Sequence, residues 1–311
     1  MLFHKVLVTG CGGDIGLAIG RILQESKIVE TVIGCDVKED HAGRVFFDDC
    51  FLVERATSSN YMDSLMQLVE KEHIDLVIPS SEPELRTLHA SNFLDSERGL
   101  FLTANQKAME IGFDKYKTAK FLDEHGLPHP WTQIAAHGTP QEFPCILKSR
   151  TGCGSKDVRI LVEKDYNRSV PYNEDDIFQE LIEGVDAEYT CGLFRSSSGE
   201  IRTIILRRKL RGGLTGSGVV EMNPVIEKLL RTIAVYLDLQ GSINIQLRLR
   251  ASVPYVFEIN PRFSSTVRFR HKLGFSDVIW SMQDSLHRVV DSYQMPMIGT
   301  RFYKIYEDVI G

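Results

Sequence analysis

A doubly wound α/β domain at the N-terminus, followed by an α+β region of two subdomains, is the architecture this sequence predicts. Three observations carry it. The chain opens with an apolar strand, a glycine loop, an amphipathic helix and a second strand; beyond residue 130 short strands follow one another through glycine or polar turns; and 311 residues suit about two domains. Continuous apolar strands separated by helices read as a parallel sheet, and alternating strands joined by tight turns as an antiparallel one.

KVLVT at 5–9 is the first strand, the glycine loop follows, residues 17–24 have helical periodicity, and TVIGCD at 31–36 completes a β-α-β unit. HIDLVIPSS at 73–81, after a segment rich in Leu, Met and Glu, is a third strand, and GLFLT at 99–103 a fourth. KYKTAKFLDEH at 115–125 is an amphipathic helix, closed by Gly126 and by Pro128 and Pro130, which cannot extend it. The character then changes. FPCILKS, RILVE, DIFQELI, EYTCGLF, IRTIILRRKL, SINIQLRL and YVFEIN read as strands, SSSG at 196–199 as a hairpin turn, and residues 224–237 and 277–290 as helices.

With 43% hydrophobic and 25% charged residues the composition is that of an ordinary globular protein, and the net charge of −6 is spread without a basic block. Binding to nucleic acid or to an anionic membrane surface is therefore not expected. The first apolar stretch is shorter than the roughly 7 to 15 residues of a signal peptide's apolar region, and no stretch approaches the roughly 20 apolar residues of a membrane span. Six cysteines are scattered without a C-x-x-C pair. Reduced thiols in a cytoplasmic protein are the expectation.

The loop VTGCGGDIGL suggests the G-x-G-x-x-G turn of dinucleotide folds, and Asp36 is placed to hold a ribose. A tight strand-to-helix turn needs glycines on steric grounds as well, so the loop alone supports either reading.

GSINIQLRLRASVPYVFEINPR at 241–262 is the most informative segment. Side chains two apart on a strand share a face, so Glu258 and Asn260 point together, as do Asn244 and Gln246 on the partner strand. Gln246, Glu258 and Asn260 can then converge across the hairpin. Oxygen donors with a single carboxylate suit Mg²⁺ that keeps waters and takes further ligands from nucleotide phosphates. Pro261 ends the strand, and Arg262 emerges as a permanently charged fork for a phosphate or carboxylate oxygen. Lys148 ends CILKS just before RTGCGSKDV, where Gly152 and Gly154 offer free backbone donors for a phosphate, although a hairpin turn with an exposed lysine would look the same.

FEINPRFSST after GSINIQ resembles the metal-binding strands of ATP-grasp enzymes, particularly the carbamoyl phosphate synthetase large-subunit type. The resemblance implies a pre-ATP-grasp domain over 1–104, an ATP-grasp A subdomain over 105–175 and a B subdomain with the metal site over 176–311. It implies ATP and two Mg²⁺ or Mn²⁺ ions, one on Gln246 and Glu258 and one on Glu258 and Asn260, with Arg262 on the transferring phosphate. Lys148 and Lys115 are then assigned to the α- and β-phosphates, Glu180 and the backbone at Leu181 and Ile182 to adenine, and Glu188 to the ribose. Taken singly, Lys115, Glu180 and Glu188 would read as solvated. Many relatives carry an acid where this chain has Gln246. A homodimer is expected from the resemblance alone.

Arg207, Lys209 and Arg211 on one strand face suggest an anionic acceptor or the transferred phosphate, or else a solvated edge, and Arg268, Arg270 and His271 are candidates for a substrate carboxylate. The expected activity is a carboxylate–amine ligation through an acyl phosphate, on small-molecule acid and amine substrates, with Arg262 and Lys148 as the catalytic residues. Two other readings stand beside it: an NAD(P)-dependent oxidoreductase using Gly10, Gly12, Gly16 and Asp36, and a nucleotide-binding protein without turnover.

Overall fold

A computed structural model describes residues 1–91, 93, 99–152, 158–167, 171–184, 188–305, 307, 308 and 310. The first sheet holds β1 (Phe3–Thr9), β2 (Val29–Asp36), β3 (Asp49–Leu52) and β4 (Leu76–Ile78) in the parallel order β3-β2-β1-β4. β1 is buried along most of its length, the signature of a strand covered on both faces. Helices α1 (Asp14–Ser26), α2 (Tyr61–Glu72) and α3 (Glu82–Ala90) alternate with the strands. The segment at 99–103, read as a fourth strand, contributes a single parallel bridge, Val77 to Phe101.

After α4 (Gln106–Gly112) and α5 (Lys115–Glu124) come β5 (Thr132–Ile134), β6 (Cys145–Ser149), β7 (Arg159–Leu161) and β8 (Asp176–Glu180), in the antiparallel order β5-β8-β6-β7. β8 sits between β5 and β6, so the change of sheet falls after residue 180. The third sheet runs β13-β12-β9-β10-β11-β14, from β9 (Glu188–Arg195), β10 (Ile201–Arg211), β11 (Leu214–Glu221), β12 (Gly241–Arg250), β13 (Val253–Asn260) and β14 (Arg301–Tyr303). β11 escaped the sequence reading because glycines interrupt its alternation, and β14 because three residues are too few to show one.

Helix α6 (Pro224–Tyr236), capped by the Asn223 side chain, lays Ile226, Leu229, Leu230 and Ile233 on one face of this sheet. The other face carries α7 (Val267–Lys272) and α8 (Asp277–Ser285). Phe263, Val267, Val278, Ile279 and Met282 from this late segment join Val6, Ile19 and Leu23 in one core. The N-terminal unit is thus closed by residues more than two hundred positions away, which no local pattern encodes.

Arg270 of α7 and Asp277 of α8 are both fully buried and 3.0 Å apart, and Ser242 of β12 donates to the same carboxylate at 2.7 Å. Arg270 is therefore a structural residue and not a recognition site for a substrate carboxylate. Gly192 lies under it: a Cβ there would stand 2.6 Å from Arg270 Nη1. Arg268 pairs with Glu25 on α1, and neither it nor His271 borders the cavity described next.

Candidate active site

The hairpin β12–β13 turns through Ala251 and Ser252, both at positive φ, and brings Gln246 opposite Glu258 and Asn244 opposite Asn260. Directly opposed residues in an antiparallel pair point the same way. All four side chains border a single cavity of about 860 Å³, together with Lys115, Lys148, Gly152, Glu180, Leu181, Ile182, Glu188 and Arg262. Gly154 falls within 153–157, outside the described residues.

Glu258 is an ionised carboxylate in this setting. Burial would push its carboxyl up, but Lys115, Lys148, the Asn260 amide and Arg262 together hold it below the usual carboxylate range. Lys115 Nζ stands 3.5 Å from Glu258 Oε1. Its position is set from behind: Asp114 caps α5 by accepting from the Tyr116 and Lys117 amides, and Arg150 grips the same carboxylate through Nε and Nη2. The Lys115 ammonium also donates to the Gly152 carbonyl, tying the turn after β6 to the hairpin.

Lys148 is only 7% exposed, and its ammonium lies 5.6 Å from the centre of the Phe257 ring. Burial pushes it down to about 8, Glu258 working against the shift and Lys115 with it. The sign follows from linkage. A lysine whose folded value is depressed makes its burial unfavourable while it must stay charged, below about pH 8, and the penalty fades as pH rises toward its ordinary 10.5. Lys148→Met is therefore expected to raise the unfolding free energy at pH 7 by roughly 3 kcal/mol before packing losses, and to lose that advantage by pH 10.5. Chemical unfolding of both proteins across that range checks it.

Glu180 accepts from Arg250 and from the Trp131 amide, and Glu188 from Arg208 and Arg248. Neither is a solvated surface acid. Pro130, Ile146, Ile182, Leu210 and Leu214 give the cavity an apolar wall beside them.

Arg208 is the residue the sequence reading missed. Its Nη2 donates to Glu188 Oε1 at 2.8 Å and to Gln246 Oε1 at 2.9 Å, and it borders the cavity. Arg207, Lys209 and Arg211 do not border it. The register explains this: Leu206 pairs with Thr190, which pairs with Gln246, so even-numbered residues of β10 share the face of Gln246. Arg207 is opposite Tyr189 on the other face, where both bond Glu221. Strand alternation could have found Arg208 had the partner strand been known.

The residues suit a magnesium ion held against phosphates. The donors are all oxygens, one a carboxylate, and Nδ2 of Asn244 and Nε of Arg262 are buried without a hydrogen-bond partner. Three cations, Lys115, Lys148 and Arg262, act on the Glu258 carboxylate, and Arg208 borders the same cavity.

Gly10, Gly13, Asp14, Ile15 and Asp36 form the far end of the same cavity. Gly10, Gly12 and Gly16 do not keep the dinucleotide spacing, since three residues and not two separate the last pair. A Cβ on Gly16 would stand 2.3 Å from the Gly10 carbonyl oxygen, so that glycine serves close helix packing. Asp36 accepts from the Gly12 and Lys38 amides, and its carboxylate braces the loop itself.

Residues 113–266 match the family model described as an ATP-grasp domain, and residues 6–100 the one described as a PylC-like N-terminal domain. The carbamoyl-phosphate synthase of Methanobrevibacter smithii is 30% identical over 146 residues, covering 44% of this chain and 38% of that protein. The chain thus spans well under half the length of that relative. Among solved structures, the ADP complex of an N5-carboxyaminoimidazole ribonucleotide synthetase superposes with a TM-score of 0.72 at 13% identity, over 94% of this chain and 79% of the other. An L-amino acid ligase from Bacillus licheniformis gives 0.71 at 18% identity, over 91% and 74%. Among the described residues no helix is long and apolar enough to cross a membrane.

Proposed function

An ATP-grasp domain occupies residues 113–266 behind a PylC-like N-terminal domain at 6–100, and from that premise we propose that the protein is an ADP-forming carboxylate–amine ligase. A carboxylate oxygen of the acceptor attacks the γ-phosphorus of ATP and ADP leaves. The amine nitrogen then attacks the carbonyl carbon of the acyl phosphate, phosphate departs, and an amide remains. The observation that carries this reading is the single cavity joining the Gln246–Glu258–Asn260 face and Lys148 at one end to the glycine turn of the first domain at the other.

The chain contributes position and charge. Lys115 and Lys148 hold the α- and β-phosphates, Arg262 the transferring one, Glu180 with the Leu181 and Ile182 backbone the adenine, and Glu188 the ribose. Magnesium bound by Gln246, Glu258 and Asn260 would offset charge on the phosphoryl group in flight. Arg208 already bonds Gln246 Oε1 and must give way, or share that oxygen, for the first ion to bind. The acceptor meets the residues of the glycine turn.

Thermal unfolding separates this reading from a dinucleotide-dependent one. Mg²⁺ with a non-hydrolysable ATP analogue near saturation is expected to raise the midpoint by several degrees, and NADH to leave it unchanged. Stabilisation by NADH alone overturns the proposal. A screen for ADP release over paired acids and amines then identifies the acceptor.

A further inference from the structure

Cys11 lies between the glycines of the N-terminal turn, where neither a nucleotide nor the turn itself requires a thiol. Its sulfur, fully buried, stands 3.7 Å from Nε2 of His41, and Cys50 on β3 completes a triangle whose three ligand atoms lie within 4.8 Å of one another. From this juxtaposition we infer a zinc site of two thiolates and one imidazole, formed by Cys11, His41 and Cys50, outside the nucleotide cavity.

Three features favour a metal over a chance cluster. A tetrahedral zinc, with bonds of about 2.3 Å to sulfur and 2.0 Å to nitrogen, sets neighbouring ligand atoms about 3.5 to 3.8 Å apart. The sulfur–nitrogen separation already has that value. The backbone is also cleared around the ligands: a Cβ on Gly34 would stand 2.8 Å from the Cys11 sulfur, one on Gly12 2.8 Å from the His41 ring, and one on Gly43 2.8 Å from His41 Nδ1. Finally, the donors are soft. Two thiolates with an imidazole select zinc over magnesium, which the oxygen donors of the hairpin suit. Cys11 is buried while His41 and Cys50 are half-buried, which leaves the fourth position to water.

The ion links three separate segments: the glycine turn, the residue that precedes the 3-10 turn Ala42–Phe46, and β3. Gly10 and Gly13 border the cavity, so the zinc clamps that part of its wall.

The test uses the full chain, stripped with chelator and kept reduced, titrated first with Co²⁺ and then with Zn²⁺. One equivalent of Co²⁺ is expected to give a sulfur-to-cobalt charge-transfer band with tetrahedral visible bands, both displaced by one equivalent of Zn²⁺. Cys50→Ser and His41→Ala, chosen because Cys11 is too buried to replace safely, are each expected to weaken zinc at least about tenfold, and Glu258→Gln to leave it unchanged. Failure of the charge-transfer band in the reduced wild type overturns the site, as does a band that survives both ligand variants. Zinc uptake lost only in Glu258→Gln, or a Cys11–Cys50 disulfide on mild oxidation with no zinc bound by the reduced protein, overturns it equally.

Discussion

Glu258→Gln is expected to lower ADP formation by about a thousandfold or more, since the lost interaction acts where charge develops in phosphoryl transfer. Glu258 is the only carboxylate on the hairpin face, and the proposed mechanism asks it to serve both ions. Glutamine keeps the shape and the cross-strand partner Gln246 but removes the charge that Lys115 approaches at 3.5 Å. The chain should stay folded with a modest loss of stability. The carboxylate's contribution is present above the ordinary carboxylate range and is lost only as pH falls through its lowered value, so wild type and variant should converge in acid. Single-turnover ADP release, with circular dichroism as control, decides the matter; a variant of unchanged turnover sinks the metal assignment.

Asp277→Ala should unfold the protein more readily by about 3 to 5 kcal/mol, because it leaves a buried guanidinium without a counter-charge. Arg270 has no route to water, being 0% exposed beneath the six-stranded sheet with Gly192 against it. Its Asp277 partner is held in turn by Ser242, so three elements depend on one carboxylate. Replacing the pair together, Arg270→Met with Asp277→Leu, should recover most of the loss, since an apolar pair of similar volume escapes the desolvation penalty. Urea unfolding of the three proteins measures both. A single variant within 1 kcal/mol of wild type would mean that Arg270 finds water or another partner.

The hairpin end of the cavity was legible in the primary structure because its information is local. E-I-N-P-R carries its own geometry: strand alternation sets Glu258 and Asn260 on one face, and Pro261 ends the ladder where Arg262 must turn out. Lys148 at a strand end before a glycine turn is legible in the same way. What local pattern could not supply was pairing. The choice between Arg207 and Arg208 depends on which strands flank β10 and in what register, since both faces of that strand carry basic residues. Arg270 reads from the sequence as a candidate for a substrate carboxylate, because the six intervening residues carry no sign that Asp277 will meet it in the interior.

The composition and periodicities of this chain dictate a parallel α/β start, an antiparallel continuation and a hairpin of oxygen donors, because each rests on spacings of two to four residues along one segment. Long-range contact alone places Arg208 on Gln246, seats the C-terminal helices in the first domain's core, and gathers Cys11, His41 and Cys50 around one point. Those outcomes depend on which surfaces bury against each other, and burial is a property of the whole fold that no single stretch of residues holds.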